Sequence, residues 1–457
     1  MPPMLALAIC AVFVAVLLRF ENKRTPGLSK ALWVPTIWML YCCSKPVGFW
    51  FGWWDPNATV ETGDPLERLV LSSMIVIGLC VLARRSVNWR MAFQENTWLV
   101  VLFAYMLISI VWSDFPFVSF KRWVKTAGTL VMAMIVLSEA RPYDSLRSLF
   151  LRISYVLIPL SMVLVKYFPH LGVQFAQWSG GRMWCGATLA KNSLGVLCYI
   201  SAVFLIWMLS RRLQGKEPLY SRSHMFADLL VLSLTFVLMI GPGGSYSATS
   251  IAALMVSMGI FFSLRRLERI QYLNKVWGAG VLGVCVILLV VRLLQVSPLG
   301  LVATMLGREE TLTGRTDLIW SVLVPLAWKH PILGVGYGAF WIVPVPEFNF
   351  PINEAHNGYL DVFIELGATG LALLFFLVIS FFNKARREFE HNRDWASLQI
   401  AFLATLILHN FTESDFLRST FPFWNMFILL MIVHPWEYAI AQTRPALISG
   451  DWGRPRL

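Results

Sequence analysis

Two dense polar clusters interrupt a chain that otherwise consists mostly of apolar helical sequence. They are Gly-Arg-Thr-Asp-Leu-Ile-Trp at 314–320 and Ala-His-Asn-Gly-Tyr-Leu-Asp at 355–361. Arginine binds anionic groups through paired hydrogen bonds, and histidine exchanges protons near neutral pH. Arg315 and His356 therefore predict a site that binds an anion and transfers a proton at the membrane surface.

Arg315 falls in the first turn of a predicted short helix over 315–329. A cation there opposes the helix dipole, which favours negative charge at an N-terminus by about 0.3–1 kcal/mol. A bound anion would remove this conflict, because arginine and free helix amides can share one phosphate. The alternative is a solvated arginine, or one paired with Asp317 or Glu310. Pro325 is expected to kink or split the helix.

His356 directly precedes a predicted span, with Asn357 as its N-cap. A helix N-terminus favours the neutral imidazole that a general base requires, whereas Glu354 and Asp361 pull the other way, so the protonation state stays open. The alternative is a histidine at the lipid–water boundary without a chemical role. Asp361 and Glu365 lie four residues apart on one helix face and are expected to face a polar interior.

Other outward loops supply further cations. Arg182 and Lys191 flank the start of the predicted span 187–209, where they form either a second phosphate clamp or ordinary interfacial anchors. Arg122 opens another span between two lysines, and anchoring is the favoured interpretation there. The glycine- and hydroxyl-rich stretch 241–250 could bind a phosphate or glycan, although helix capping alone is favoured.

Composition places these loops in a membrane protein. The 457 residues are 57% hydrophobic and 14% charged, with a mean hydropathy of +0.64, whereas soluble proteins carry about 25% charged residues. The net charge of +12 lies mainly in short loops, which indicates topology determinants rather than a nucleic-acid surface. The seven cysteines show no zinc or disulfide pattern, and neither a metal nor a cofactor is expected.

Apolar runs about 17–25 residues long predict an all-α polytopic protein with about 12–13 spans. The first run is interpreted as a retained span because it lacks the features of a signal peptide. The predicted spans lie near 3–19, 31–49, 66–83, 97–113, 122–138, 148–166, 187–209, 226–241, 247–264, 276–294, 357–381, 396–410 and 419–435.

Alternate loops differ sharply in basic content, since 25 of the 38 lysines and arginines fall on one side. The positive-inside rule makes that side cytoplasmic, with the N-terminus outside and the C-terminus inside. The predicted organisation is therefore transmembrane helices over 1–294, a large periplasmic loop with short helices over 295–356, and the last spans with a cytoplasmic tail over 357–457.

Together these residues resemble the bacterial O-antigen ligase and polymerase superfamily, which includes exopolysaccharide polymerases. The likeness covers most of the chain, from about 100 to 415, and the order and outward placement of the motifs agree with the family. The motifs are Gly314-Arg315-Thr316-Asp317-Leu318 with Trp320, Pro331 to Gly338, His356-Asn357-Gly358-Tyr359-Leu360, Glu365-Leu366-Gly367 with Gly370, Trp112-Ser113-Asp114, and Arg182 with Lys191-Asn192.

The resemblance implies a metal-independent, inverting glycosyltransferase at the periplasmic face of the inner membrane. Its donor would be a glycan on undecaprenyl pyrophosphate, and its acceptor a glycan or a lipid. Arginines matching Arg182 and Arg315 would bind the pyrophosphate, and His356 would activate the acceptor hydroxyl. Membrane lipids and polysaccharide assembly proteins are further expected partners. The remaining candidates for substrate binding are Lys191, Arg122, Asn357 and Asp361.

Two other classes compete with an enzyme. A transporter or flippase of lipid-linked sugars would place ionisable residues near the bilayer midplane, often on broken helices. Here the predicted charges concentrate at one face, which favours an enzyme. A membrane scaffold for polysaccharide assembly is the third interpretation, and it requires no chemistry at Arg315 or His356.

Overall fold

The computed structural model describes residues 1–53, 64–175, 180–215, 222–242, 247–266, 315–348 and 352–432, with 315–317 described by their backbone alone. Of these residues 75% are helical and very few are in strands, which confirms the predicted all-α class. The α-helices are Pro3–Arg24, Trp33–Cys42, Val47–Trp50, Pro65–Ala83, Trp89–Glu95, Thr97–Ile108, Pro116–Leu137, Pro142–Tyr167, Pro169–Gly172, Lys191–Leu213, Arg222–Ile240, Ala248–Arg266, Ser321–Ala327, Gly358–Glu388, Arg393–His409 and Pro422–Ile432.

Shorter elements complete the described chain. Strands Val173–Phe175 and Arg182–Trp184 pair antiparallel as a small hairpin. A π-helical turn covers Arg315–Trp320, and 3₁₀ helices cover Lys30–Leu32, Ser109–Trp112 and Phe340–Ile342.

Seven described helices are long and apolar enough to cross a membrane, or eight if the pair Trp89–Glu95 and Thr97–Trp112, bent by 89°, counts as one span. The polytopic membrane class is thereby confirmed. The count of 12–13 stays a prediction, because 276–294 lies outside the described residues and several other predicted spans coincide with shorter or more polar helices. The predicted span 31–49 is not one helix, since the first piece ends at Cys42 and a new one starts after Pro46.

The chain forms two compact units, each containing several helices. The first consists of Met1–Val101, Lys125–Leu238 and Ser419–Leu457, and the second of Leu102–Val124 and Met239–Arg418. The predicted organisation with boundaries at 294 and 356 stays a prediction.

The first unit buries ion pairs among its helices. Asp228 is fully buried and lies 3.0 Å from Arg24 Nη1 and 2.8 Å from Arg212 Nη1, and it also accepts a hydrogen bond from the Tyr155 hydroxyl. Arginines that the sequence marks as topology determinants therefore also hold helices together. A buried carboxylate needs such partners, because an isolated charge in a low-dielectric interior is costly.

A broken helix organises the second unit. Gly358–Glu388 is not the single regular span that the sequence predicts, because Gly367 has φ +65° and interrupts its helical geometry. The interrupted backbone pairs with the preceding segment 331–336. Ala368 N–H donates to Pro331 C=O at 2.8 Å, and Gly336 N–H donates to Glu365 C=O at 2.9 Å. A side chain at Gly367 would also collide with the backbone of this segment.

The short helices before this broken helix pack on it through an apolar core. The helix Ser321–Ala327 contains Pro325, so the proline does not split the helix, and the alternative prediction of a kink stays a prediction. Trp341 is only 6% exposed and belongs to this core. The buried members are Ile319, Leu323, Ala327, Trp341, Val345, Ala355 and Ile364.

We expect Asp228→Ala to destabilise the protein by about 3–5 kcal/mol, because it leaves two arginines without their buried counter-charge. Denaturant unfolding of the detergent-solubilised protein measures the change. Asp144→Ala is the matched control, since Asp144 is 31% exposed and pairs with its helix neighbour Arg141. Equal effects of the two substitutions would show that the buried pairs contribute little.

Candidate functional site

His356 lies on a tightly held turn at the start of the broken helix. Its φ is +51°, a conformation that L-residues rarely adopt without support from their surroundings. The residues on both sides are fixed by hydrogen bonds. Ala355 C=O accepts from Trp320 Nε1 at 2.9 Å, and Asn357 N–H donates to Ser414 Oγ at 3.1 Å. Contacts with two separate parts of the second unit, at Trp320 and at Ser414, thus help to determine where the imidazole lies.

Asn357 caps the start of this helix, as predicted. Its Oδ1 accepts from the N–H groups of Tyr359 and Leu360, both at 3.1 Å. Gly358 N–H donates to the carbonyls of Asn410 and Glu413 at 2.9 and 3.0 Å. A Cβ on Gly358 would lie only 2.0 Å from Asn410 Oδ1, so this position needs glycine. The two hydrogen bonds of Gly358 N–H therefore join the start of the helix to the turn at 410–418.

Two carboxylates flank the imidazole. His356 Nδ1 lies 2.9 Å from Glu354 Oε1 and 3.6 Å from Glu413 Oε2. The histidine side chain remains 29% exposed, which leaves it accessible to a ligand. Of the two, Glu354 was evident beside His356 in the sequence, whereas Glu413 was missed. Its only signal was a polar stretch at 412–418 between the last two predicted spans.

Asp361 and Arg418 fix the loop that carries His356. Arg418 Nη2 donates to Asp361 Oδ2 at 3.1 Å and to Asn353 C=O at 3.2 Å. The other carboxylate oxygen, Asp361 Oδ1, accepts from Trp341 Nε1 at 3.0 Å and from Ala355 N–H at 3.2 Å. Burial disfavours the charge on Arg418, yet the neighbouring carboxylates, Asp361 foremost, outweigh it and hold the pKa of the guanidinium above its ordinary value.

Arg122 lies against the glycine-rich turn. Its Nη1 donates to Gly338 C=O at 2.6 Å, while Gly338 N–H donates to Glu365 Oε2 at 3.1 Å. Gly338 has φ +67°, and a Cβ there would approach Arg122 Cδ to 2.8 Å. Asp361 and Glu365 were both predicted to face a polar interior. Glu365 contacts the glycine-rich turn, and Asp361 contacts the loop before His356.

Arg182 and Lys191 belong to the first unit. Arg182 is an exposed residue of the hairpin, paired with Phe175 in register, and Lys191 begins the helix Lys191–Leu213. The chain between them is held by Lys45, which the sequence analysis did not single out. Its buried Nζ donates to the carbonyls of Gly186 and Thr188 at 2.8 and 2.6 Å.

The predicted residues are thus divided between the units. The second unit contains Arg122, His356, Asn357 and Asp361, and it includes the helical turn that begins at Arg315. The side chain of Arg315 lies outside the described residues. Trp320, at the end of that turn, donates its indole N–H to the carbonyl of Ala355, the residue before His356. The two sequence clusters are thus linked by this hydrogen bond and by the apolar core that contains Ile319 and Ala355.

One group of side chains in the described ranges has the spacing to hold a metal ion. Ligand atoms of Glu354, His356 and Glu413 lie within 4.8 Å of one another. Oxygen and imidazole ligands of this kind suit divalent cations such as Zn²⁺ or Mn²⁺. The sequence predicted no metal, and this group was not anticipated.

Comparison with known proteins shows what the chain is similar to. A profile of the O-antigen ligase family matches residues 229–375, a stretch that includes both sequence clusters. Fold and match together identify a polytopic helical membrane protein related to the O-antigen ligase and polymerase superfamily, as the motifs indicated. The chain is also similar to the exopolysaccharide production protein ExoQ of Rhizobium meliloti (strain 1021). The two are 25% identical over 346 residues, which cover 71% of this chain and 74% of that protein.

We expect Asp361→Ala to lower stability by about 3 kcal/mol, because Arg418 loses its counter-charge and a buried indole loses its acceptor. Amide hydrogen exchange at 353–357 should accelerate in the same variant, since the His356 turn loses its support. Asp114→Ala, which removes an exposed aspartate of the same unit, is the control. Unchanged exchange in Asp361→Ala would contradict the supporting role.

Proposed function

We propose that the protein is a membrane glycosyltransferase of exopolysaccharide or O-antigen assembly. It would transfer a glycan from an undecaprenyl-pyrophosphate-linked donor to a glycan or lipid acceptor. The observation that carries the proposal is the rigidly held His356, in the same compact unit as the turn that begins at Arg315. The O-antigen ligase match and the similarity to an exopolysaccharide production protein support a role in polysaccharide assembly.

In the proposed reaction His356 is the general base. The acceptor hydroxyl gives its proton to the imidazole as its oxygen attacks the anomeric carbon. The bond from that carbon to the pyrophosphate oxygen breaks, and the pyrophosphate leaves with the electron pair. One displacement of this kind inverts the anomeric centre. A positioned base contributes typically about 10²–10⁴-fold to such a step.

The two carboxylates beside His356 favour binding of the acceptor, rather than of the pyrophosphate, next to the imidazole. Glu354 and Glu413 repel phosphate but accept hydrogen bonds from sugar hydroxyls. The pyrophosphate is therefore assigned to Arg315, with Arg182, Lys191 and Arg122 as further cationic candidates. Guanidinium groups stabilise the charge on a departing pyrophosphate, so the proposed reaction is metal-independent.

Asn357 and Asp361 are assigned a supporting part in substrate binding. The Asn357 side chain caps the helix, and the Asp361 oxygens accept from protein donors. Both residues would therefore act on the substrate through the position of His356. The proposed location is the inner membrane, with the site on the periplasmic face, on the strength of the positive-inside rule. Polysaccharide assembly proteins and membrane lipids are the proposed partners.

A flippase of lipid-linked glycans is the second candidate, because the break at Gly367 resembles the discontinuous helices of transporters. In transporters such interrupted backbone coordinates the substrate. Here it pairs with the segment 331–336, which favours the enzyme. Reconstituted protein with labelled donor separates the two functions, since a flippase moves the donor between leaflets without forming new glycosidic bonds.

We expect His356→Ala to abolish glycan transfer while binding of the lipid-linked donor survives, because only the proton acceptor is removed. Transfer is measured in proteoliposomes with a defined lipid-linked repeat unit. His330→Ala removes an exposed histidine of the same unit and should leave the rate unchanged. Full activity of His356→Ala would refute the assignment of His356 as the base.

Arg315→Lys keeps the charge but loses the paired hydrogen bonds of the guanidinium. We expect kcat/KM to fall about 10- to 100-fold, as for the loss of a hydrogen bond to a charged group. The same donor assay measures the change, with the exposed Arg266→Lys as the control. Normal turnover in Arg315→Lys would argue against paired phosphate binding at this position.

Sizing of the product separates polymerase from ligase. A ladder of chains from a single lipid-linked repeat unit indicates polymerisation, whereas one transfer to a lipid or protein acceptor indicates ligation. Donor that stays intact with every acceptor offered, in a preparation that binds it, would overturn the enzymatic proposal.

A further inference from the structure

We infer that Glu413 and Glu354 are positioning residues that fix one tautomer of His356, with Nδ1 protonated and Nε2 presented to the acceptor hydroxyl. This inference rests on the proposed role of His356 as the base. It assigns a function to Glu413, which lies outside every motif that the sequence analysis identified.

The two distances favour Nδ1 as the ring nitrogen that carries the proton. An ionised carboxylate only accepts hydrogen bonds, and both glutamate oxygens approach Nδ1, at 2.9 and 3.6 Å. A lone pair on Nδ1 would face two negative charges and be repelled. The proton therefore lies on Nδ1, and the basic lone pair lies on Nε2.

The two glutamates reach the imidazole from different parts of the chain. Glu354 lies on the loop that leads to His356, and its Oε2 is 3.9 Å from Arg418 Nη1. Glu413 lies on the turn after the helix Arg393–His409, where its own N–H donates to His409 C=O at 2.9 Å. Because Glu413 C=O also accepts from Gly358 N–H, this turn is fixed to the start of the helix that follows His356.

Both carboxylates also stabilise the charge that forms during the reaction. When Nε2 takes the proton of the acceptor hydroxyl, the ring becomes an imidazolium with two anions beside Nδ1. The same arrangement supports the histidine of hydrolase triads, where the carboxylate orients the ring without taking its proton. After the glycosidic bond has formed, Nε2 releases the proton to water.

A second histidine–carboxylate pair in the same turn provides an internal control. His409 Nδ1 lies 2.6 Å from Asp415 Oδ2, and both side chains are 3% exposed. This pair is closed to a substrate, whereas His356 is 29% exposed. Loss of the buried pair is expected to lower stability without changing the rate of glycan transfer.

The experiment compares Glu413→Gln, Glu413→Asp, Glu354→Gln and Asp415→Asn in the full-length protein reconstituted with the lipid-linked donor. For the two Gln variants we expect kcat to fall about tenfold or more, within the roughly 10²–10⁴-fold that a general base contributes. Donor KM and the unfolding midpoint should change little. Glu413→Asp should recover part of kcat because it restores the charge. Asp415→Asn should lower the unfolding midpoint and leave kcat of the folded protein unchanged.

A spectroscopic readout is independent of turnover. In protein with ¹⁵N-labelled histidine, the His356 signals, assigned by their loss in His356→Ala, should report a protonated Nδ1. In Glu354→Gln combined with Glu413→Gln this preference should decrease. An Nε2-protonated ring in the wild-type protein, or a tautomer that is insensitive to both glutamates, would overturn the inference.

Two other outcomes would also overturn it. Inhibition by a chelator, with recovery on adding Zn²⁺ or Mn²⁺ and a higher cation requirement in the Gln variants, would make the three side chains a cation site instead. Normal kcat in both Gln variants would remove the positioning role. If His356→Ala is inactive in that case, the proposed function stands and only this inference fails. If His356→Ala is active, the assignment of His356 as the base fails as well, whereas the proposed function itself fails only if the wild-type protein forms no glycosidic bond.

Discussion

The geometry around His356 depends on the carboxylate of Asp361. It accepts hydrogen bonds from Trp341 in the apolar core, from the backbone at Ala355 and from Arg418 on a distant turn. Those three donors come from separate stretches of sequence, and the left-handed residue His356 lies among them. A conformation of that kind persists only where its surroundings determine it. The site is thus a consequence of tertiary contacts rather than of local preference.

Both units meet the same constraint on buried backbone, which is that every polar group needs a partner. The first unit uses the Lys45 ammonium to bond two carbonyls of the turn after the hairpin. The second uses the segment 331–336 to pair with the broken helix at Gly367. Irregular backbone in a membrane protein is tolerated where protein satisfies it in this way. Both irregular regions lie next to residues that are candidates for substrate binding.

Sequence reasoning succeeded where the signal is local. Apolar runs located most helices, and Asn357 was recognised as a cap because capping involves only the next few residues. It missed the break at Gly367, since a glycine within an apolar run does not alter the run. It also missed Glu413 and Arg418, whose partners lie more than fifty residues away. Pairing across such separations leaves no trace in one sequence without its fold.

The pairing of 331–336 with the interrupted helix also bears on how the chain is made. The ribosome releases this segment before the helix Gly358–Glu388, so the partner for the exposed amides and carbonyls already exists when the helix enters the bilayer. The interrupted backbone can therefore pair with 331–336 as soon as the helix has been synthesised. A circular permutant that moves 331–336 behind the helix would reverse this order and leave those groups unsatisfied during synthesis.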